Sequence, residues 1–135
     1  MSAPSTEGPV MIELLDANPV LRYLIEDNPQ QTAQARALIE SGRSLRLSVL
    51  TLAEIGYVLT RVYRLARADV VDSLIALLNR ENVDVHEIDT NLAIQALRLC
   101  QPSGRVNFAD ALLWAIARSS APCRCLLYTS PSPRD

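Results

Sequence analysis

The strongest constraint on this chain is a repeated pairing: a short apolar run, too brief for a helix, followed by a longer amphipathic stretch. Residues 10–15 read as one buried strand and residues 45–48 as a second, and Val83, Val85 and Ile88 alternate with polar neighbours as a third. Helices are expected between and after them, over about 18–25, 28–41, 67–82 and 90–100, with two more opening at Thr51 and Asn107. Asn28 and Pro29 form a cap and first-turn pair, and Gly42 is a helix stop. The Thr51 helix carries Ile55, Val58, Leu59 and Val62 on one face. Strands that alternate with helices pair in parallel through crossover connections. The expected fold class is therefore α/β: a parallel sheet flanked by helices in three layers, α/β/α.

The chain has 135 residues, the size of one domain. Residues 1–9 are small, polar and proline-containing, and are expected to be a disordered leader. The domain itself is expected over 10–121. Composition changes beyond it: three of the eight prolines and two of the three cysteines fall in residues 122–135. That stretch has no amphipathic period. It is expected to be an artefactual tail on a domain truncated at its C-terminus.

Composition excludes several function classes. No apolar run approaches the roughly 20 residues of a membrane span, and the first residues lack the regions of a signal peptide, so a cytoplasmic protein is expected. Cys100, Cys123 and Cys125 are an odd number, which suits a reducing compartment. His86 is the single histidine, and no Cys/His spacing suits zinc. A net charge of −2 argues against a non-specific nucleic-acid coat. All 13 basic residues are arginine, whose fork geometry suits phosphate contacts. Arg61, Arg64 and Arg67 cluster at a helix end and its following loop; they read equally as a solvated terminus and as an RNA-phosphate contact.

Three carboxylates share one local context. Asp16 ends the first apolar run, Glu54 lies three residues after Thr51, and Asp110 lies three residues after Asn107. Singly, each has a plain structural explanation, since acids and Thr or Asn at helix starts form caps and capping boxes. Together they imply more. Junctions that follow parallel strands lie at one edge of the sheet, and converging carboxylates repel unless a cation neutralises them. Hard oxygen donors suit Mg²⁺, with Mn²⁺ as a substitute, and such an ion activates water for phosphoryl chemistry.

The stretches MIELLDANPVLRYLIED, LSVLTLAEIGYVLTRVY and GRVNFADALLWAIA resemble, in order and separation, the three acidic motifs of the PIN-domain family. Within it they resemble the VapC toxins of toxin–antitoxin pairs. The resemblance implies a Mg²⁺-dependent endoribonuclease that leaves a 5′-phosphate and a 3′-hydroxyl, forms homodimers and is silenced by a cognate antitoxin. It implies that Asp16, Glu54 and Asp110 are the catalytic and metal-binding acids, with Asp16 and Asp110 the most direct ligands. Asn18 and Thr51 would support them. Two positions depart from the family pattern: Pro19 replaces a plain aliphatic residue, and the family's final T-x-D turn is matched only by Thr129. A fourth carboxylate is therefore expected to be missing. Two further readings stand beside the toxin: a PIN-like module that binds antitoxin or RNA without cutting, and an unrelated α/β domain whose acids are merely caps.

Overall fold

A computed structural model of the chain describes residues 11–120. The expected leader and tail, Thr129 among them, lie outside the described residues. Three strands form one parallel sheet: β1 (Glu13–Leu14), β2 (Leu45–Leu47) and β3 (Val83–Val85), in the spatial order β1-β2-β3. Six α-helices flank the sheet among the described residues: α1 (Ala17–Leu24), α2 (Pro29–Ile39), α3 (Val49–Tyr57), α4 (Arg67–Leu78), α5 (Thr90–Cys100) and α6 (Phe108–Ser119). The α/β class with parallel strands expected from the sequence is the observed one.

Period-two alternation orients the strands. Leu45 and Leu47 in β2 and Val83 and Val85 in β3 are buried on one face of the sheet, and Arg46 pairs in register with Asp84 on the other. The buried face meets Leu52 and Ile55 of α3, Leu74 of α4, Leu97 of α5 and Leu112 of α6 in one core. Each of these helices spaces its apolar residues three or four apart, so one stripe of each is buried.

The local signals at helix ends hold where their side chains have no competitor. Asn28 caps α2 by accepting the Gln31 N–H at 3.1 Å, and Gly42, with φ of +87°, takes the left-handed conformation after it. Other boundaries move for identifiable reasons. The first strand shortens to two paired residues because β1 lies at the edge of the three-stranded sheet. The third ends at Val85: Thr90 Oγ1 accepts the Val85 N–H, and Glu87 adopts a positive φ of 70°. The helix opening expected at Thr51 begins at Val49 instead. Ser48 is its cap, accepting the Thr51 N–H at 3.0 Å.

The apolar face expected along that helix also breaks. A π-helical turn, Val58–Val62, follows α3, and its geometry is seen in the Tyr63 N–H donating to the Val58 carbonyl five residues back. The Thr60 hydroxyl donates to the Gly56 carbonyl at 2.8 Å, competing for the acceptor that a regular helix would use. The wider turn changes the phase of the helix. Ile55 and Leu59 are buried as expected, whereas Val62 is turned outward, 65% exposed.

Close packing of α3 on α6 depends on one residue. Gly56 lies so near the Phe108 ring that a Cβ built on it would stand 2.6–2.8 Å from three ring carbons. No side chain larger than hydrogen fits without moving the ring. Gly56→Ala is expected to destabilise the fold by about 1–3 kcal/mol through overpacking, despite alanine's better helix propensity. Urea unfolding measures this; an unchanged or raised midpoint would show that the two helices can separate at no cost.

Candidate active site

The parallel register sets out the site. Glu13 pairs with Leu45 and Leu14 with Arg46, and the Leu15 N–H donates to the Arg46 carbonyl at 2.7 Å. Continued two residues, that register brings Asp16 beside Ser48 at the carboxyl edge of the sheet, where open α/β sheets present ligand sites. Asp16 is also the cap of α1: its Oδ1 accepts the Ala17 N–H at 2.9 Å. The cap and the site residue are thus the same carboxylate, and the hydrogen bond fixes its position while leaving the second oxygen open among the described residues.

Glu54 is not in the first turn of its helix, as the Thr51–Glu54 pairing had suggested. It is the sixth residue of α3, roughly 9 Å along the helix axis from Ser48 at 1.5 Å per residue. Its side chain is exposed and makes no hydrogen bond or ion pair with another described residue. Asp110 is in the first turn of α6, where its N–H donates to the Asn107 cap at 2.7 Å; it is half-buried. Gly56 faces the Phe108 ring of α6, whereas Glu54, two residues earlier, is exposed and does not share that face of α3.

Asp16 thus lies beside the start of α3 by strand register, Glu54 in the second turn of α3 and Asp110 in the first turn of α6. Among the described residues, no three Asp, Glu, His or Cys side chains come together closely enough to hold one metal ion between them. The supporting residues are placed differently. Asn18 is exposed in the first turn of α1. Thr51 belongs to the α3 cap, its hydroxyl oxygen accepting from Ser48 Oγ at 3.0 Å. Ser48 was not singled out from the sequence, although serine three residues before threonine at a strand–helix junction is a cap signal.

Several other acids are paired with arginine. Glu13 pairs with Arg43 at 2.9 Å and Asp72 with Arg98 at 3.0 Å. The Arg43 hydrogen bond holds the Glu13 carboxyl below its ordinary range. Hydrogen bonds from Gln101 and Arg98 do the same for Asp72. Glu26, Asp27 and Glu40 also have arginine partners. Asp16 and Glu54 form no ion pair among the described residues, a state they share with Asp69, Glu81, Asp84 and Asp89.

Arg67 differs from its two neighbours in the basic cluster. Its guanidinium stands 4.7 Å from the centroid of the Phe108 ring and donates to the Cys100 carbonyl at 3.2 Å. It closes the side of Phe108 away from the sheet-facing core and joins α4 to α5. Arg61 lies in the π-turn and Arg64, with φ of 59°, just after it; both are exposed. Trp114 packs half-buried against the core with Arg118 5.4 Å from its centroid.

A short parallel sheet flanked by helices, with Asp16 capping the first crossover helix, is an α/β domain of PIN-like architecture. The PIN domain family model matches residues 14–121, more than half of the chain, and the chain belongs to that family, whose members are generally nucleases dependent on divalent metal. Neither a curated protein nor a solved structure gives a significant match. Among the described residues, no helix is long and apolar enough to cross a membrane.

The cation–π and hydrogen-bond contacts of Arg67 predict a stability effect that its neighbours lack. Arg67→Ala should lose about 1–2 kcal/mol, while Arg61→Ala stays within about 0.5 kcal/mol. Equal unfolding midpoints for the two variants would contradict a packing role for Arg67.

Proposed function

We propose that this chain is a Mg²⁺-dependent endoribonuclease toxin that hydrolyses phosphodiester bonds in RNA and is held inactive by a cognate antitoxin. The observation that carries the reading is the PIN-domain match over residues 14–121, together with Asp16 capping α1 after the first strand, exposed Glu54 on α3 and half-buried Asp110 in the first turn of α6. Their chemistry fits a hard cation. Mg²⁺ commonly keeps several waters and takes only one or two protein carboxylates together with substrate phosphate oxygens, so the spread of the acids suits a hydrated ion. Mn²⁺ is the natural substitute.

The bound ion would polarise water and offset the negative charge that grows on the phosphoryl group. The protein's share is positioning and proton handling. Asp16, fixed by its own helix cap, offers its second oxygen at the sheet edge. Asp110 is anchored at the start of α6. Glu54, exposed and unpaired, orients the attacking water and accepts its proton. Water oxygen then bonds to phosphorus, the bond to the 3′-oxygen breaks, and that oxygen takes a proton. The products are a 5′-phosphate and a 3′-hydroxyl. Asn18, in the same turn of α1, steadies the phosphate, and exposed Arg61 and Arg64 meet the flanking backbone.

The partners follow from the same surface. Leu50 and Tyr57 are exposed at 79% and 60% on α3, on the stripe that also carries Glu54. Apolar side chains beside a charged site support a contact with the antitoxin or a second copy of the chain.

A second reading is a PIN module that binds antitoxin or RNA without cutting. Two observations favour it: no three acids gather closely among the described residues, and the family's final T-x-D turn is incomplete in the sequence.

End-labelled single-stranded RNA distinguishes the two. The nuclease reading expects cleavage with Mg²⁺, none in EDTA, and a loss of roughly 100-fold or more in Asp16→Asn or Asp110→Asn. Mg²⁺ should also raise the melting temperature of the wild-type chain and not of Asp16→Asn. Cleavage that survives EDTA or the Asp16 substitution would overturn the proposal. Retained RNA binding with no cleavage under any metal would establish the second reading.

A further inference from the structure

The crossing of α1 and α2 leaves a cleft of about 350 Å³, of whose lining the catalytic reading uses Asn18 alone. Its floor is apolar, formed by Pro19, Ala35 and Leu38. Its rim carries three carboxamides, Asn18 of α1 and Gln31 and Gln34 of α2, together with the Arg22 guanidinium. None of the three carboxamides hydrogen-bonds another described side chain or backbone group. Arg22 is held loosely, 3.8 Å from Asp27.

The walls are tied to each other independently of the rim. The Thr32 hydroxyl donates to the Arg22 carbonyl at 3.1 Å, and Arg36 bonds Glu26 at 3.1 Å while its guanidinium stands 5.9 Å from the Tyr23 ring centroid. Val20 and Ala35 are buried beneath. The cleft therefore exists before anything enters it, as pre-formed ligand sites do.

We infer that this cleft receives a nucleobase of single-stranded RNA adjoining the scissile phosphate, an inference that rests on the nuclease reading for its place beside the site. A flat apolar floor suits the face of a base. Carboxamides present a donor and an acceptor side by side, which is the complement of a base edge. The Arg22 charge suits the attached phosphate. The placement is given by the chain itself: Asn18 on the rim is two residues from Asp16, so a base seated here has its backbone at the sheet edge. A small metabolite carboxylate would call for more cation and less carboxamide, and a purely apolar peptide would leave three amide groups without partners.

The test is a titration of the isotopically labelled wild-type chain with each of the four ribonucleoside 5′-monophosphates, in EDTA, with inorganic phosphate alone as control. The side-chain amide resonances of Gln31 and Gln34 are followed by NMR. Saturable shifts with nucleotides, absent with phosphate and differing between bases, are expected. The double variant Gln31→Ala/Gln34→Ala, both positions lying on the exposed side of α2, should keep the wild-type melting temperature and weaken binding roughly tenfold. Silent amides, the same shifts from phosphate, or a response only to an amphipathic peptide would overturn the assignment. Because the titration needs no metal and no cleavage, its result is independent of the nuclease assay. Saturable shifts in a chain that never cuts RNA would retain the cleft and remove the nuclease reading, and cutting with silent amides would do the reverse.

Discussion

Phe108 lies against a helix surface that is bare because residue 56 is glycine, and beneath a guanidinium because Arg67 reaches across from the following helix. That stacked arrangement joins α3, α4 and α6 at one place. It sets how closely α6 approaches α3, the helices that carry Asp110 and Glu54. Asp16 is placed separately, by strand register and by its own cap bond to Ala17. Two independent constraints therefore position the acids: hydrogen bonding in the sheet, and steric fit between helices. Interiors are close-packed and deform little, so neither constraint can slacken without moving a carboxylate.

Arginine provides all the positive side-chain charge in the described region, and its distribution is uneven. Glu13, Glu26, Asp27, Glu40 and Asp72 are paired with arginine, with Glu13 and Asp72 drawn below their ordinary titration ranges by their partners. Exposed pairs of this kind contribute little to stability. Under the proposed nuclease reading, Asp16 and Glu54 would be balanced by a divalent ion brought in with a phosphate. The cleft between α1 and α2, rich in carboxamides, has a different chemistry.

Much of the fold was legible because its signals are local. Asn28 and Pro29 started α2, Asn107 started α6, and β2 and β3 followed the alternation of their apolar residues. The errors have physical causes. Thr51 looked like a cap, but Ser48, three residues earlier, had the free hydroxyl at the end of β2 and took that role. Glu54 consequently lies in the second turn. The Val62 face was lost to a π-turn that no helical periodicity announces. Arg67 read as one of three surface cations because a charged residue's packing partner, forty-one positions away in the chain, leaves no trace in its own neighbourhood.

What the sequence determined by itself is the set of elements, their parallel pairing, the family, and the identity of three acids at or near helix starts. These depend on periodicity, caps and the order of motifs, all of which act over a few residues. Only the tertiary structure decided how far apart those acids stand, which of them remain unpaired, and that a cleft opens between α1 and α2. Those properties come from helix crossings and from contacts between residues distant in the chain, where a single missing Cβ at Gly56 sets the approach of two whole helices.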